Sequence, residues 1–120
     1  MKILLLEPDE YWTRQFTDRL GGQFELIIAR DTADAKHLYE AESPDMVVGE
    51  LLLADGSSYG FLENLRALSL NAALPIVIFS QVDSLQDIEA TLALGVSGYF
   101  VKGRDRINDV HNLLLTLNSP

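Results

Sequence analysis

The sequence predicts a single α/β domain built on a doubly wound, five-stranded parallel sheet with five helices. Short apolar runs alternate with longer segments of helical period, which is the usual signature of βαβ units around a parallel sheet. Each run is largely apolar, as expected for a strand that is covered on both faces. A length of 120 residues and a hydrophobic content of 48% fit one domain, residues 1–120, with a sizeable core.

Five runs form the strands of this prediction: residues 2–6, 24–29, 46–49, 76–79 and 98–101. Right-handed crossovers between parallel strands give the order 2-1-3-4-5. A sheet of this kind carries its ligand crevice at the carboxyl ends of the strands, so functional side chains are expected there.

The first helix is predicted over residues 10–20, where Trp12, Phe16 and Leu20 fall on one face at i, i+4 spacing. Gly21 and its neighbour Gly22 are expected to end this helix in the left-handed conformation. Thr32 is predicted to cap the second helix. The third helix follows a serine-rich loop, and its predicted core side chains are Phe61, Leu62, Leu65 and Leu68.

The fourth helix has strong local signals, with Ser84 as N-cap, Asp87 at N3 and Gly95 as the C′ residue. Its predicted buried side chains are Leu85, Ile88 and Leu92. The fifth helix is predicted over residues 106–117. Its apolar face consists of Ile107, Val110, Leu114 and Leu117.

The composition excludes several function classes. Eighteen acidic residues against nine basic ones give a formal charge of -9 and a pI near 4.4, which argues against nucleic-acid backbone contact and against an anionic membrane. There is no cysteine, so disulfides and thiolate metal sites are excluded. No apolar run reaches the roughly 18 residues of a spanning helix, and no signal peptide is recognised. We therefore expect a cytoplasmic domain.

Polar residues stand where the predicted strands end. Glu7 and Asp9 follow the first strand, Glu50 the third, Ser80 the fourth and Lys102 the fifth. Because the carboxyl ends of parallel strands meet at one edge of the sheet, these residues are the candidates for a functional site. Glu50 is notable because it follows directly on an uninterrupted apolar run.

Five motifs occur in a recognisable order: "KILLLEPDE", "PDMVVGELLL", "GFLENLR", "LPIVIFSQ" and "LGVSGYFVKG". In this order and spacing, over about 115 residues, the chain resembles a response-regulator receiver domain, the phosphorylatable module of two-component signalling. The resemblance implies a CheY-like, flavodoxin-like fold.

The resemblance also implies a phosphoacceptor aspartate, modified by a histidine kinase, at the position of Glu50. Phosphoryl transfer depends on positioning, so displacing the attacking oxygen by about 1 Å should cost on the order of a hundredfold in rate. We therefore interpret the chain as an atypical receiver, or pseudo-receiver. One alternative is that Glu50 mimics the phosphoryl charge. The other is that it has drifted in a degenerate surface loop.

The family's magnesium ion would be held by an acidic cluster that corresponds to Glu7, Asp9 and Glu50. Pro8 stands where the resemblance expects an acid that contacts the metal directly. Since Mg²⁺ requires near-octahedral oxygen ligation, we expect this metal site to be weakened and no cofactor to be resident.

Three further positions correspond to functional residues of the family. Ser80 and Tyr99 match the two switch positions, and Lys102 matches the lysine that contacts the phosphoryl group. The alternatives are that Ser80 is only a residue of the segment leading to the next helix and that Tyr99 is only a core residue. We expect the Lys102 ammonium to form an exposed salt bridge with Glu50, worth about 0 to 1 kcal/mol. Arg104 and Arg106 could also face the acids across the crevice.

The sequence is best explained by a non-enzymatic, phosphorylation-independent interaction module whose partner surface is the fourth helix, fifth strand and fifth helix. A homodimer, a histidine kinase and an output domain are open as partners. The main alternative is an active phosphoacceptor modified at a nonstandard acid such as Asp55. A small-anion or nucleotide site is a third, although no Gly-rich phosphate loop is present.

We predict that Glu50, Asp45 and Asp55 all stay unphosphorylated, Asp55 because it lies in a loop without a fixed partner.

Overall fold

The computed structural model describes residues 1–68 and 74–118. Its strands are β1 (Lys2–Leu6), β2 (Glu25–Ala29), β3 (Met46–Gly49), β4 (Leu52–Leu53), β5 (Gly56–Ser57), β6 (Ile76–Ser80) and β7 (Gly98–Val101). Its helices are α1 (Glu10–Leu20), α2 (Thr32–Glu42), α3 (Tyr59–Leu68), α4 (Leu85–Leu92) and α5 (Ile107–Asn118). The side chain of Leu68, a predicted core residue, lies outside what the structure describes.

The main sheet has five parallel strands in the order β2-β1-β3-β6-β7. This confirms the predicted order 2-1-3-4-5, because β6 and β7 are the predicted fourth and fifth strands. The fold is therefore the doubly wound, CheY-like flavodoxin fold.

The sheet separates two apolar cores because alternate side chains of each strand point to opposite faces. On one face, Leu4 and Leu6 of β1 pack with α2 and α3. On the other, Ile3 and Leu5 pack with Phe16 of α1 and with α5. None of the described helices is both long and apolar enough to cross a membrane.

Two predicted helix ends were wrong. Asp31, not Thr32, caps α2, because its side chain accepts a hydrogen bond from the N–H of Asp34 at 2.8 Å. Gly21 ends α1 with a right-handed φ of -60°, so no left-handed stop is needed there. Gly95 does adopt the left-handed conformation, with φ +79°, as predicted.

The predicted burial of α4 was also wrong. Leu85 is 69% exposed and Leu92 is 46% exposed, while Ile88 is only partly buried. The fully buried residue of this helix is Thr91, whose hydroxyl donates to the carbonyl of Asp87 at 2.7 Å. Helical period alone identified an apolar stripe, but not the direction in which it points.

The segment after β3 folds into a small antiparallel hairpin, β4 and β5, that sequence reasoning did not predict. Leu53 anchors it in the core at 6% exposure. At its turn, Asp55 accepts hydrogen bonds from the N–H of Thr32, the closer at 3.1 Å, and thereby ties the hairpin to the start of α2. The hairpin is therefore held by the buried side chain of Leu53 and by the bonds of Asp55.

Candidate functional site

The carboxyl ends of the central strands meet in a cavity of about 330 Å³. It is lined by Glu7, Pro8, Asp9, Trp12, Glu50, Gln81, Lys102 and Gly103. The structure thus brings together residues that follow β1, β3, β6 and β7, as the strand order predicted. Ser80 is also present, fully buried beneath them.

Glu50 is almost completely buried, with 1% of its surface exposed. One carboxylate oxygen, Oε2, accepts hydrogen bonds from the N–H of Leu52 at 3.1 Å and from the hydroxyl of Ser80. The other, Oε1, accepts from the N–H of Gln81 at 3.0 Å and from Nζ of Lys102 at 2.9 Å. A carboxylate offers about four acceptor sites, so this one is saturated.

Lys102 lies between two buried acids. Its Nζ donates to Glu7 Oε1 at 2.7 Å as well as to Glu50, and only 11% of its side chain is exposed. The ammonium also lies 5.6 Å from the ring centroid of Trp12 and 5.7 Å from that of Phe79, within the range of cation–π attraction. The predicted salt bridge is therefore present. The expectation that it would be exposed was wrong, because Glu50 is buried and Lys102 lies beside the rings of Trp12 and Phe79.

The two acids respond differently to this environment. Burial raises the pKa of Glu7 above its ordinary 4.5, and the hydrogen bond and charge of Lys102 offset this only in part. Burial also acts to raise the pKa of Glu50, but the donors Ser80, Lys102, Gln81 and Leu52 outweigh it and lower the pKa below 4.5. Glu50 is thus held as a carboxylate at neutral pH.

Asp9 lines the same cavity, but its carboxylate is used at the start of a helix. It caps α1, since its Oδ1 accepts from the N–H of Tyr11 at 2.9 Å, while its own N–H donates to Glu7 at 3.0 Å. Across residues 1–68 and 74–118, no group of three or more His, Cys, Asp or Glu side chains is arranged to hold a metal ion. As arranged, the residues Glu7, Asp9 and Glu50 do not fit Mg²⁺, because the Lys102 ammonium lies between the two glutamates.

A chain of hydrogen bonds leads from Glu50 towards α4. The hydroxyl of Ser80 donates to Glu50 and accepts from the N–H of Val82 at 3.0 Å, and the carbonyl of Val82 accepts from the hydroxyl of Tyr99 at 2.6 Å. Burial raises the pKa of Tyr99, so its hydroxyl remains a donor at neutral pH. Tyr99 is thereby connected to Glu50 through the segment that precedes α4.

Two other acids lie elsewhere. Asp55 is held by Thr32 and does not line the crevice, so the expectation that it lacks a fixed partner was wrong. Asp45 lies just before β3, at the opposite end of the strand, where it accepts from the N–H of Lys2 at 2.8 Å. Neither carboxylate shares the surroundings of Lys102.

The two arginines after β7 do not face the acids of the crevice. Arg104 approaches Asp105 at 3.5 Å and is largely exposed, and Arg106 is exposed as well. Gly103, with φ +87°, turns the chain away immediately after Lys102. The structure therefore favours the alternative that these are charges at the start of a helix without a role in the crevice.

Sequence reasoning missed the role of Trp12, which was assigned only to the core. Its ring packs edge-to-face on Phe79 with a centroid separation of 4.9 Å and borders the Lys102 ammonium. The signal was available, because Trp12 lies in the first turn of a helix that begins at the carboxyl end of β1. The backbone donors Leu52 and Gln81 had no sequence signal.

No protein-family model matches the sequence. The "Probable transcriptional regulator ycf27" of Porphyridium aerugineum is 28% identical over 102 residues, which cover 84% of this chain and 41% of that protein. The BeF3-activated N-terminal receiver domain of Klebsiella pneumoniae RstA superposes with a TM-score of 0.83 at 22% identity, covering 99% of this chain and 100% of that one. A two-component response regulator from Clostridium difficile gives a TM-score of 0.87 at 19% identity, covering 99% of both chains.

The chain has the fold of response-regulator receiver domains and is similar in sequence to part of that probable transcriptional regulator. It spans about two-fifths of the length of this curated relative. The acid that follows β3 is a glutamate, and its charge is neutralised by a lysine and by neighbouring donors rather than left open towards solvent. The site is therefore suited to holding a fixed negative charge.

Proposed function

We propose that this chain is a receiver domain of a two-component pathway and acts as a phosphorylation-independent protein-interaction module, in which Glu50 supplies a permanent negative charge. The observation that supports this is the saturation of Glu50 by four donors in a buried setting. A nucleophilic oxygen needs a free lone pair directed at the phosphorus atom. Glu50 would have to give up existing hydrogen bonds to provide one.

Burial argues against drift in a degenerate loop. A carboxylate that tolerates any polar replacement would be expected on the surface, whereas an unpaired buried charge is strongly unfavourable. Glu50 is 1% exposed and fully paired. Two of its partners, Ser80 and Lys102, occupy the positions that the family resemblance assigns to contacts with a phosphoryl group, which favours charge mimicry.

The proposed partner-binding surface is formed by α4, β7 and α5. We further propose that the domain acts in the cytoplasm. Tyr99 of β7 is bonded to Val82, and Val82 to Ser80, so the Glu50 contacts fix the approach to α4. We also propose a histidine kinase or an output domain as the partner, because the curated relative is longer than this chain. The module itself would carry out no catalysis.

The alternatives have less support. Asp55 accepts hydrogen bonds from the N–H and the hydroxyl of Thr32, and it does not line the crevice that holds Lys102. A small-anion site would need a cation directed into the crevice, but the ammonium of Lys102 is already shared by Glu7 and Glu50.

Intact-mass and peptide mass spectrometry after incubation with Mg²⁺ and acetyl phosphate, quenched in acid, tests the proposal. A phosphorylatable receiver domain in the same tube shows that the donor is active. We expect no phosphoryl group on Glu50, Asp45 or Asp55 while the control is modified. Stoichiometric modification of Glu50 would refute the proposal, and modification of Asp55 would establish the rival.

A further inference from the structure

Helix α4 presents its apolar residues to solvent. Leu85, Ile88 and Leu92, here named the α4 stripe, lie at i, i+3 and i+7 and therefore share one side of the helix. Leu85 is 69% exposed and Leu92 46%. In the described part of the chain, no side chain of α4 belongs to either apolar core.

The orientation of α4 is fixed by its own contacts. Ser84 caps its start by accepting from the N–H of Asp87 at 3.1 Å, and Thr91 is buried at 1% exposure. Beyond its end, the carbonyl of Leu94 accepts from Nε of Arg66 on α3 at 2.8 Å. Turning the stripe inwards would expose Thr91 and strain the bond between Arg66 and Leu94, so the leucines stay on the solvent side of the helix.

The charges around the α4 stripe indicate which kind of partner could bind to it. Helices α4 and α5 together contain three carboxylates, those of Asp87, Glu89 and Asp109, and no Lys or Arg. Glu89 is four residues after Leu85 and so lies beside it. A second copy would bring the same acidic helices together, and each copy carries a formal charge of -9. Like charges in direct opposition disfavour such a contact.

We propose that the α4 stripe is the docking site of a cationic amphipathic helix from a partner protein, rather than of a second copy of this chain. Leucine-type side chains of the partner would cover Leu85 and Leu92, and flanking Lys or Arg side chains would pair with Glu89 and Asp87. This inference rests on the proposed function, since it names the chemistry of the partner of the α4, β7 and α5 surface. Burial of exposed leucines supplies the affinity and the charges supply the selectivity.

The test uses the whole chain and a fluorescently labelled amphipathic helical peptide of roughly 14 residues, or four turns, built from Leu and Lys. A peptide with Glu in place of Lys is the charge control. Fluorescence anisotropy is measured for the wild type and for Leu85→Glu, Leu92→Glu and Tyr11→Glu. Tyr11 is the matched control, because it is 59% exposed but lies on α1.

We expect the Lys peptide to bind and the Glu peptide not to bind. Each substitution in the α4 stripe should weaken binding by about tenfold, which corresponds to about 1.4 kcal/mol, and Tyr11→Glu should not weaken it. Every one of these substitutions adds negative charge, so attraction by net charge alone would leave binding equal or tighter. Equal or tighter binding in Leu85→Glu and Leu92→Glu would overturn the proposal, as would no binding to the wild type.

Sedimentation equilibrium of the wild type tests the alternative that a second copy of this chain covers the α4 stripe. We expect a monomer; a dimer that dissociates in Leu92→Glu would overturn the proposal in favour of a second copy. Circular dichroism confirms that each variant is folded. The result is independent of the phosphorylation experiment, because modification of Glu50 would refute the proposed function while leaving the peptide data interpretable.

Discussion

Replacement of Lys102 by Met should destabilise this domain far more than the loss of a surface ion pair. Methionine keeps a stem that packs against Trp12 and Phe79 but removes the ammonium between two buried acids. Removing one partner of a buried pair costs about 3 to 5 kcal/mol. Glu50 retains three other donors and Glu7 retains the N–H of Asp9, so we expect the lower end, about 3 kcal/mol.

Urea unfolding at neutral pH, followed by the fluorescence of the single tryptophan, measures this loss. Lys36→Met, at an exposed position of α2, is the matched control and should change the free energy of unfolding by no more than about 0.5 kcal/mol. Adding Glu7→Gln to Lys102→Met should recover part of the loss, because one uncompensated carboxylate is removed. A loss below about 1 kcal/mol for Lys102→Met would refute the reasoning, since that is the range of exposed pairs.

Three further predictions concern the surrounding contacts. Ser80→Ala should lower the free energy of unfolding by about 1 to 3 kcal/mol, because it leaves Glu50 and the N–H of Val82 short of a buried partner; equal stability in urea would contradict this. The pKa of Glu50 is lowered, so its stabilisation is present above about pH 4.5 and is lost as the pH falls through the folded pKa. The stability difference between wild type and Glu50→Gln should therefore shrink below pH 4.5, and a difference that grows there would be inconsistent. Asp55→Ala should speed amide exchange at Thr32 while leaving exchange at Val82 unchanged. Unaltered protection at Thr32 would count against the hydrogen bond from Thr32 to Asp55.

The fold and the composition of the site could be predicted because both follow from local patterns. Apolar runs identified the strands, and crossover handedness fixed their order. The residues that follow the strands could then be placed at one edge, which correctly brought Glu50 and Lys102 together. This step needed only the direction of each strand, not the packing of side chains.

The failures share a different cause, which is tertiary packing. The sequence carried no signal that Lys102 would lie beside the rings of Trp12 and Phe79, so the Glu50–Lys102 pair was expected to be exposed. Helical period identified the apolar stripe of α4, but tertiary contacts of Thr91 decide which side is buried. The capture of Asp55 by Thr32 likewise joins two loops that are distant in sequence, and propensity carries no information about such pairs.

Donors within the chain occupy both oxygens of Glu50, and we infer that they leave no place for a metal ion or a phosphoryl group. A crystal structure of the domain grown in saturating MgCl₂ tests this inference. We predict electron density in which Nζ of Lys102 remains within hydrogen-bond distance of Glu50 Oε1 and of Glu7 Oε1, with no ion bound to either acid. A magnesium ion coordinated by Glu50, with Lys102 displaced towards solvent, would contradict the account.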